Sequence, residues 1–324
     1  MPTIKDVAEM AGVTVTTVSR MLNNKVNVSD TTKAKINEAM RALNYKPNEV
    51  ARSLITQKSS MIGLIVPSAM NFFFATVIQY IEEHVSANQY RLLVCVSDLD
   101  KEKERDYFSM LGANRVAGVI LASHTQDIEP HFHAPLITIE RSLSDDIPSI
   151  CSDNYTGGCL AAEHLLNLGC SRLAYIMGSP AFDMDANKRL AGFSDTLRKS
   201  NVSQPVVVGA SEQNFIQLDY RSIIETLFRQ HPDVDGIFTS NDVIAAQILQ
   251  YCHRHHIQIP QQLKLISYDD TGVASLCSPA LTSVRQPIGE MCKSAVEFII
   301  RASNGETIPS RTVFPVSLTK RETA

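Results

Sequence analysis

Apolar residues recur every three or four positions in the first 45 residues, and near residue 60 the pattern changes to short continuous apolar runs. In the first stretch Ile4, Val7, Ala8 and Ala11 fall on one helical face, with Thr3 placed to cap it and Asp6 in the first turn. Gly12-Val13 interrupts this helix. Thr14 can cap a second one carrying Val15, Val18 and Leu22 as a stripe, and Ser29-Asp30 a third with Ile36, Ala39, Met40 and Leu43 facing inward. Two short helices joined by a glycine-containing turn have the spacing of a helix-turn-helix, whose second helix enters the DNA major groove. An ordinary three-helix bundle fits the same periodicity. Beyond it, Pro47 disfavours helix at Lys46, and Asn48 can cap a short helix to about Leu54. Such a segment is too short to be stable alone.

From residue 60 onward the apolar runs are 62–67, 91–97, 117–123 and 136–140, then 172–178, 205–210, 236–240 and 263–269. Helical spacing lies between them, over 75–86, 103–111, 159–167, 186–199, 220–229 and 243–255. Continuous apolar strands alternating with helices predict an α/β body of two doubly wound lobes with parallel sheets. Ligands of such sheets collect beyond the carboxyl ends of the strands, which directs attention to the residues following each run. These include Asn71, Phe72, Phe73 and Phe74, then Ser123, Glu140, Arg141, Asn241, Asp269 and Asp270. Carboxylates, amides and guanidinium beside aromatic faces suit a polyhydroxylated ring, whose hydroxyls donate to carboxylates and accept from Arg or Asn. With Glu140 and Asp269 balanced by Arg141 and Arg189, the set favours a neutral polyol.

Composition changes this picture only slightly. The 324 residues are 44 % hydrophobic and 20 % charged, an ordinary globular balance. Net charge is −4, yet residues 1–60 hold nine Lys/Arg against five Asp/Glu, a basic head on an acidic body. The N-terminus lacks an apolar leader pattern, no run is long enough to span a bilayer, and the seven cysteines form no CxxC pair. A cytoplasmic protein without a membrane role is expected. Sequence signatures of hydrolases, nucleotide phosphate loops, dinucleotide sites and zinc proteases are missing. His131 and His133, and His253, His255 and His256, read as surface histidines. The expectation is therefore no enzyme activity, no metal and no cofactor.

The strings TIKDVAEMAGVTVTTVSRMLN (3–23) and VSDTTKAKINEAMRALNYKPNEVARSL (28–54) resemble the head and hinge of the lactose-repressor (LacI) family. Strings in the body resemble its regulatory domain, which is shared with periplasmic sugar-binding proteins: IGLIVPSAMNFFF, SDNYTGGCLAAEHLLNLG, KRLAGF, SNDVIA, SYDDTGVASLCSPALTSVRQP and FPVSLTKRE. Among members, sucrose and ribose regulators are nearest. The resemblance implies a helix-turn-helix domain over 1–46, a hinge helix and linker over 47–60, and an effector-binding and dimerisation domain over 61–324. It implies that Val15, Thr16 and Arg20 face base edges while Thr3, Thr17, Ser19, Asn23, Ser29 and Thr32 position phosphates. The hinge helix would lie in the minor groove, with Asn48 at its cap and counted among the DNA-binding residues, Ala51 allowing close approach, Arg52 meeting phosphate or groove edge and Leu54 wedging between bases. Asn71, Phe73, Phe74, Arg141, Arg189, Asn241, Asp269 and Gln286 would hold the effector, and Ser123 and Glu140 join the set by their position after a strand. Glu140 stands where an aspartate is usual, Phe72 where a proline is usual, and Phe215 is a further candidate to stack on the ligand.

The function implied is a DNA-binding transcriptional regulator, a repressor of carbohydrate-use genes. It would bind a pseudo-palindromic operator as a homodimer, under control of a sugar or sugar phosphate. Surfaces around residues 70–115 and 220–285 are the expected dimer face. A stand-alone sugar-binding module of the transport type is the alternative; it leaves residues 1–58 without a purpose.

Overall fold

The computed structural model describes residues 2–22, 28–45, 59–123, 125, 134–178 and 184–324, which fall into two compact units meeting at Ser60 and Met61. Among the described residues the first unit holds three helices: α1 (Ile4–Ala11), α2 (Val15–Leu22) and α3 (Asp30–Ala42). Thr3 and Asp6 form a reciprocal capping box at the start of α1. Gly12 ends that helix at φ +65°, a left-handed conformation that glycine adopts without penalty. Thr14 Oγ1 accepts from Thr17 N at 3.2 Å, and Ser29 caps α3 through Thr32 N at 3.3 Å. Val7, Val18 and Ile36 are fully buried where the three helices meet, with Ala8, Ala11 and Ala39 around them. Val7, Val18 and Ile36 each contribute roughly 1.5–3 kcal/mol by leaving water.

The second unit consists of two lobes. In lobe 1, β1 (Met61–Val66), α4 (Phe72–Ala87), β2 (Arg91–Val96), α5 (Lys101–Ala113), β3 (Gly118–Leu121), β4 (Leu136–Ile139) and β5 (Ser149–Ser152) follow in turn. The chain then crosses to lobe 2 through α6 (Asn154–Asn167), β6 (Leu173–Met177), a 3-10 turn (Asp185–Asn187), α7 (Lys188–Lys199), β7 (Val206–Gly209), α8 (Glu212–Gln217), α9 (Arg221–Gln230), β8 (Gly236–Thr239), α10 (Asp242–Arg254), β9 (Lys264–Asp269), α11 (Gly272–Leu276) and β10 (Thr282–Arg285). It returns to lobe 1 for α12 (Ile288–Ser303) and β11 (Arg311–Phe314), and ends in lobe 2 with β12 (Ser317–Thr319). The sheets run β2-β1-β3-β4-β5-β11 and β7-β6-β8-β9-β10-β12, parallel except for the antiparallel pair β10–β12. In both, strand order reverses beside the first strand, and a crevice opens there at the carboxyl ends.

All eight apolar runs are strands, within two residues at their ends. The runs did not include β5, β10, β11 and β12. β5 and β10 are buried largely through Ser and Thr, and β11 and β12 are edge strands with exposed positions. Such segments carry little apolar signal. Phe72, Phe73 and Phe74, expected beyond a strand end, lie in the first turn of α4. No described helix is long and apolar enough to cross a membrane.

Candidate functional site

On the head, α2 presents Val15, Thr16 and Arg20 to the exterior. Val15 is 39 % exposed, so it leaves the apolar stripe expected of it; Val18 occupies the core instead, and Val15 offers its methyls outward. Thr3, Thr17, Ser29 and Thr32 all sit at helix starts, where backbone N–H groups gather and anions are favoured. Their hydroxyls are also engaged in the caps, Thr14 with Thr17 at 2.9 Å and Ser29 with Thr32 at 2.9 Å. Ser19 is half-buried on α2. Asn23 and the hinge residues Asn48, Ala51, Arg52 and Leu54 lie outside the described residues, as do His131 and His133.

Between the lobes the strand ends enclose about 790 Å³ of empty space, including the part open to solvent. Asn71, Phe73, Phe74 and Glu140 line it from lobe 1; Arg189, Asn241 and Asp269 from lobe 2; Gln286 from the crossing segment. Thus eight of the ten expected effector residues come together, joined by Tyr175, Met177, Met184, Asn187, Phe215 and Ser240.

Asn71 caps α4, its Oδ1 accepting from Phe73 N at 3.0 Å, which turns its amide nitrogen to other partners. Asn241 caps α10 in the same way at 2.9 Å. Phe73 and Phe74 meet edge to face with centroids 5.1 Å apart, and Phe215 from lobe 2 meets Phe74 at 6.1 Å. The three rings form an apolar wall.

Among the described lining residues, Arg189 supplies the cation of the cleft. Its guanidinium lies 3.5 Å over the Tyr268 ring, Nε donates to Asn154 Oδ1 at 2.6 Å, and Nη1 donates to the Ser240 carbonyl at 2.8 Å. Glu140 and Asp269 stand 3.7 and 3.9 Å from it. Two glycines let this arm reach so far in. A Cβ on Gly158 would come within 2.0 Å of the Arg189 carbonyl, and one on Gly192 within 2.0 Å of the Tyr155 carbonyl, so α6 and α7 touch backbone to backbone.

Glu140 and Asp269 both have positive φ, +56° and +97°, conformations that persist where the surroundings impose them. Burial pushes the Asp269 carboxyl well above its ordinary range, against the opposing pull of Arg189. Gln286 Nε2 donates to Asp269 Oδ1 at 2.6 Å, and among the described residues Gln286 Oε1 is buried with no hydrogen-bond partner, as is Ser240 Oγ. Two orphaned polar atoms facing one cavity are a demand for a polar ligand. Glu140 accepts from Asn154 Nδ2 at 2.8 Å and from Ser152 N. The longer side chain therefore folds back onto protein donors while still lining the cleft.

Ser123 and Arg141 are placed elsewhere. Ser123 Oγ donates to Glu104 at 2.7 Å, and Arg141 donates to the carbonyls of Ser123, at 2.9 Å, and Thr125. They build a buried network under lobe 1 around Glu104, whose carboxyl burial pushes up against these partners. Among the described lining residues, the expected two guanidiniums beside two carboxyl groups accordingly become one beside two.

The profile of the bacterial regulatory proteins of the lacI family matches residues 3–48, and that of the periplasmic binding protein-like domain matches residues 162–324. Sucrose and ribose operon repressors align over nearly the whole chain; that of Streptococcus mutans is 34 % identical over 321 residues, 98 % of both chains. The chain belongs to the LacI family. It is a DNA-binding transcriptional regulator. Among solved structures, the lac repressor dimer bound to operator and the anti-inducer ONPF superposes with TM-score 0.85 at 25 % identity, covering 99 % of this chain and 98 % of that one. A periplasmic binding protein/LacI transcriptional regulator from Alkaliphilus metalliredigens, complexed with D-xylulofuranose, has TM-score 0.73 at 33 % identity over 82 % of this chain and 99 % of its own.

Several cleft residues of this LacI-family chain escaped the sequence. Tyr175 and Met177 look like core strand residues, Asn187 falls in a stretch with helical spacing, and Ser240 ends an apolar run. The glycines of TGGC and KRLAGF lie within strings that mark the family but carry no sign that they face each other.

Proposed function

We propose that this protein represses carbohydrate-use genes in the cytoplasm, binding a pseudo-palindromic operator as a homodimer whose affinity is set by an unphosphorylated sugar between the lobes. Its relatives named as repressors of sucrose and ribose operons support the gene class, and the sugar-complexed relative supports the ligand class. The lining of the cleft carries the choice of a neutral ligand. Phosphate calls for a surplus of cations, whereas among the described lining residues Arg189 is already matched by Glu140, with the Asp269 carboxyl beside it. Hydroxyls satisfy the same groups: they donate to Asp269 and Gln286 Oε1 and accept from Asn71 and Arg189. The ring's C–H face packs on Phe73, Phe74 and Phe215.

Val15, Thr16 and Arg20 read the major groove, Arg20 through guanine O6 and N7. Thr3, Thr17, Ser19, Asn23, Ser29 and Thr32 position phosphates, and Asn48, Ala51, Arg52 and Leu54 form the minor-groove hinge. One head covers a half-site, so a dimer is required. Exposed apolar side chains in the two expected dimer regions, Met70, Phe72, Val94, Met110 and Leu276, support that face. The sugar leaves unchanged, which chromatography after prolonged incubation checks.

A thermal-shift panel of paired sugars and sugar phosphates tests the reading. A neutral sugar that binds the folded state raises the melting temperature, and its phosphate ester does not. A shift produced by the ester alone would overturn it.

A further inference from the structure

The 3-10 turn that opens with Asp185 belongs to lobe 2 and runs directly into α7. Its neighbours Met184, Ala186 and Asn187 form part of the cleft wall. The Asp185 side chain is buried, and most of what it touches comes from the other lobe. Arg311 Nη2 on β11 donates to Oδ1 at 2.7 Å; Oδ2 accepts from Cys151 Sγ on β5 at 3.0 Å and from Ser142 Oγ beyond β4 at 3.3 Å. Arg311 Nη1 also reaches Ser142 Oγ at 3.2 Å. From its own lobe Asp185 meets only Lys188 among the described hydrogen-bond donors.

We infer that Asp185 is an interlobe latch: a positioning residue that pins one wall of the cleft to the β11-β5-β4 edge of lobe 1 and sets the equilibrium between closed and open lobes. Opening the cleft strips one carboxylate of three lobe-1 partners at once and leaves Arg311 without its counter-ion, so the closed geometry is favoured before any ligand enters. Burial raises this carboxyl's affinity for a proton, but Cys151, Lys188 and Arg311 outweigh it and hold the group down at about 2. The latch is therefore charged at every physiological pH. Its consequence for effector affinity rests on the reading of the cleft as the sugar site; the latch itself does not, and it is tested without a sugar.

Cys151 is the reporter. It is fully buried, and its thiol sits against Asp185. Burial, then Glu140 and Asp185, push that thiol up, while Arg311 pulls it down. In the full-length protein, N-ethylmaleimide modification is followed cysteine by cysteine by peptide mass spectrometry. Replacing Arg311 with Met removes the charge that favours the thiolate, so local electrostatics alone slows Cys151. Loss of the latch does the opposite: it exposes Cys151, and its rate rises on the order of tenfold, since labelling follows the open population. Cys292, fully buried in the lobe 1 core, reports general loosening and stays unchanged. Arg311→Lys keeps the charge and remains within about twofold of the parent, as does Lys188→Met, whose partner lies in the same lobe. A Cys151 rate that falls or does not move in Arg311→Met overturns the latch. So does a parallel rise at Cys292, or an Arg311→Lys variant as fast as Arg311→Met.

Discussion

In the proposed sugar site, Asp269 is the side chain whose protonation would be tied to ligand binding. Its carboxyl is buried and shifted upward by that burial, held between Arg189 and Gln286. A sugar hydroxyl donating to it favours the ionised form. Sugar binding therefore expels protons, and affinity weakens as pH falls through the raised value. Calorimetry in buffers of different ionisation enthalpy checks this; a binding heat independent of buffer contradicts it. Asp269→Asn removes a charge-assisted acceptor and weakens sugar binding by about 1.5–3 kcal/mol, while operator binding without sugar stays as in the parent. On the head, Arg20→Ala weakens operator binding by roughly 1–3 kcal/mol and relaxes preference at a single base pair. An equal loss on every sequence, read by fluorescence anisotropy, would assign Arg20 to phosphate. At this scale a polar residue following an apolar strand marked the cleft at Asn71, Asn241 and Asp269. It misled at Ser123 and Arg141, which also follow strands but turn beneath the sheet towards Glu104. Strand-end position says which residues can reach the crevice, not which way a side chain turns.

Helices α6 and α7 are where element packing makes the site. Gly158 and Gly192 bring the two backbones together, and Arg189 rides on the surface thus lowered into the cleft. A methyl group at Gly192 would push α7 outward. Gly192→Ala is expected to cost about 1–3 kcal/mol of stability through overpacking and to weaken sugar binding further by withdrawing Arg189. Parent-like sugar affinity in a folded Gly192→Ala protein, measured by calorimetry, would dissociate the helix contact from the site. Helix existence was legible from spacing, but the caps set the true starts. Asn71, Asp100 and Asp153 begin α4, α5 and α6 two to five residues ahead of the first strongly periodic position. Strand β10 reads as polar because its buried Thr282 and Ser283 are satisfied internally, Ser283 by Asp242 at 3.0 Å. Periodicity does not see a buried hydroxyl that has found its acceptor.

Across the whole molecule, the alternation of strands and helices fixes two doubly wound lobes, while the three crossings near Asp153, Gln286 and Pro315 depend on long-range pairing. Nothing in β11 and β12, two residues apart, announces that they join different sheets. Those crossings make one lobe's motion relative to the other a motion of the entire regulatory unit, which is how a ligand in the cleft can govern DNA binding. Operator affinity should also fall steeply with salt as phosphate contacts release counterions; a flat dependence, followed by anisotropy from low to physiological salt, contradicts the phosphate set on the head. The most direct test is anisotropy of a labelled duplex from the protein's own promoter region, titrated with protein alone and with the sugar that raises its melting temperature. The account predicts specific binding whose affinity shifts at least tenfold with sugar, a coupling of about 1.4 kcal/mol or more. Specific binding that is identical with the cleft empty and saturated would contradict it.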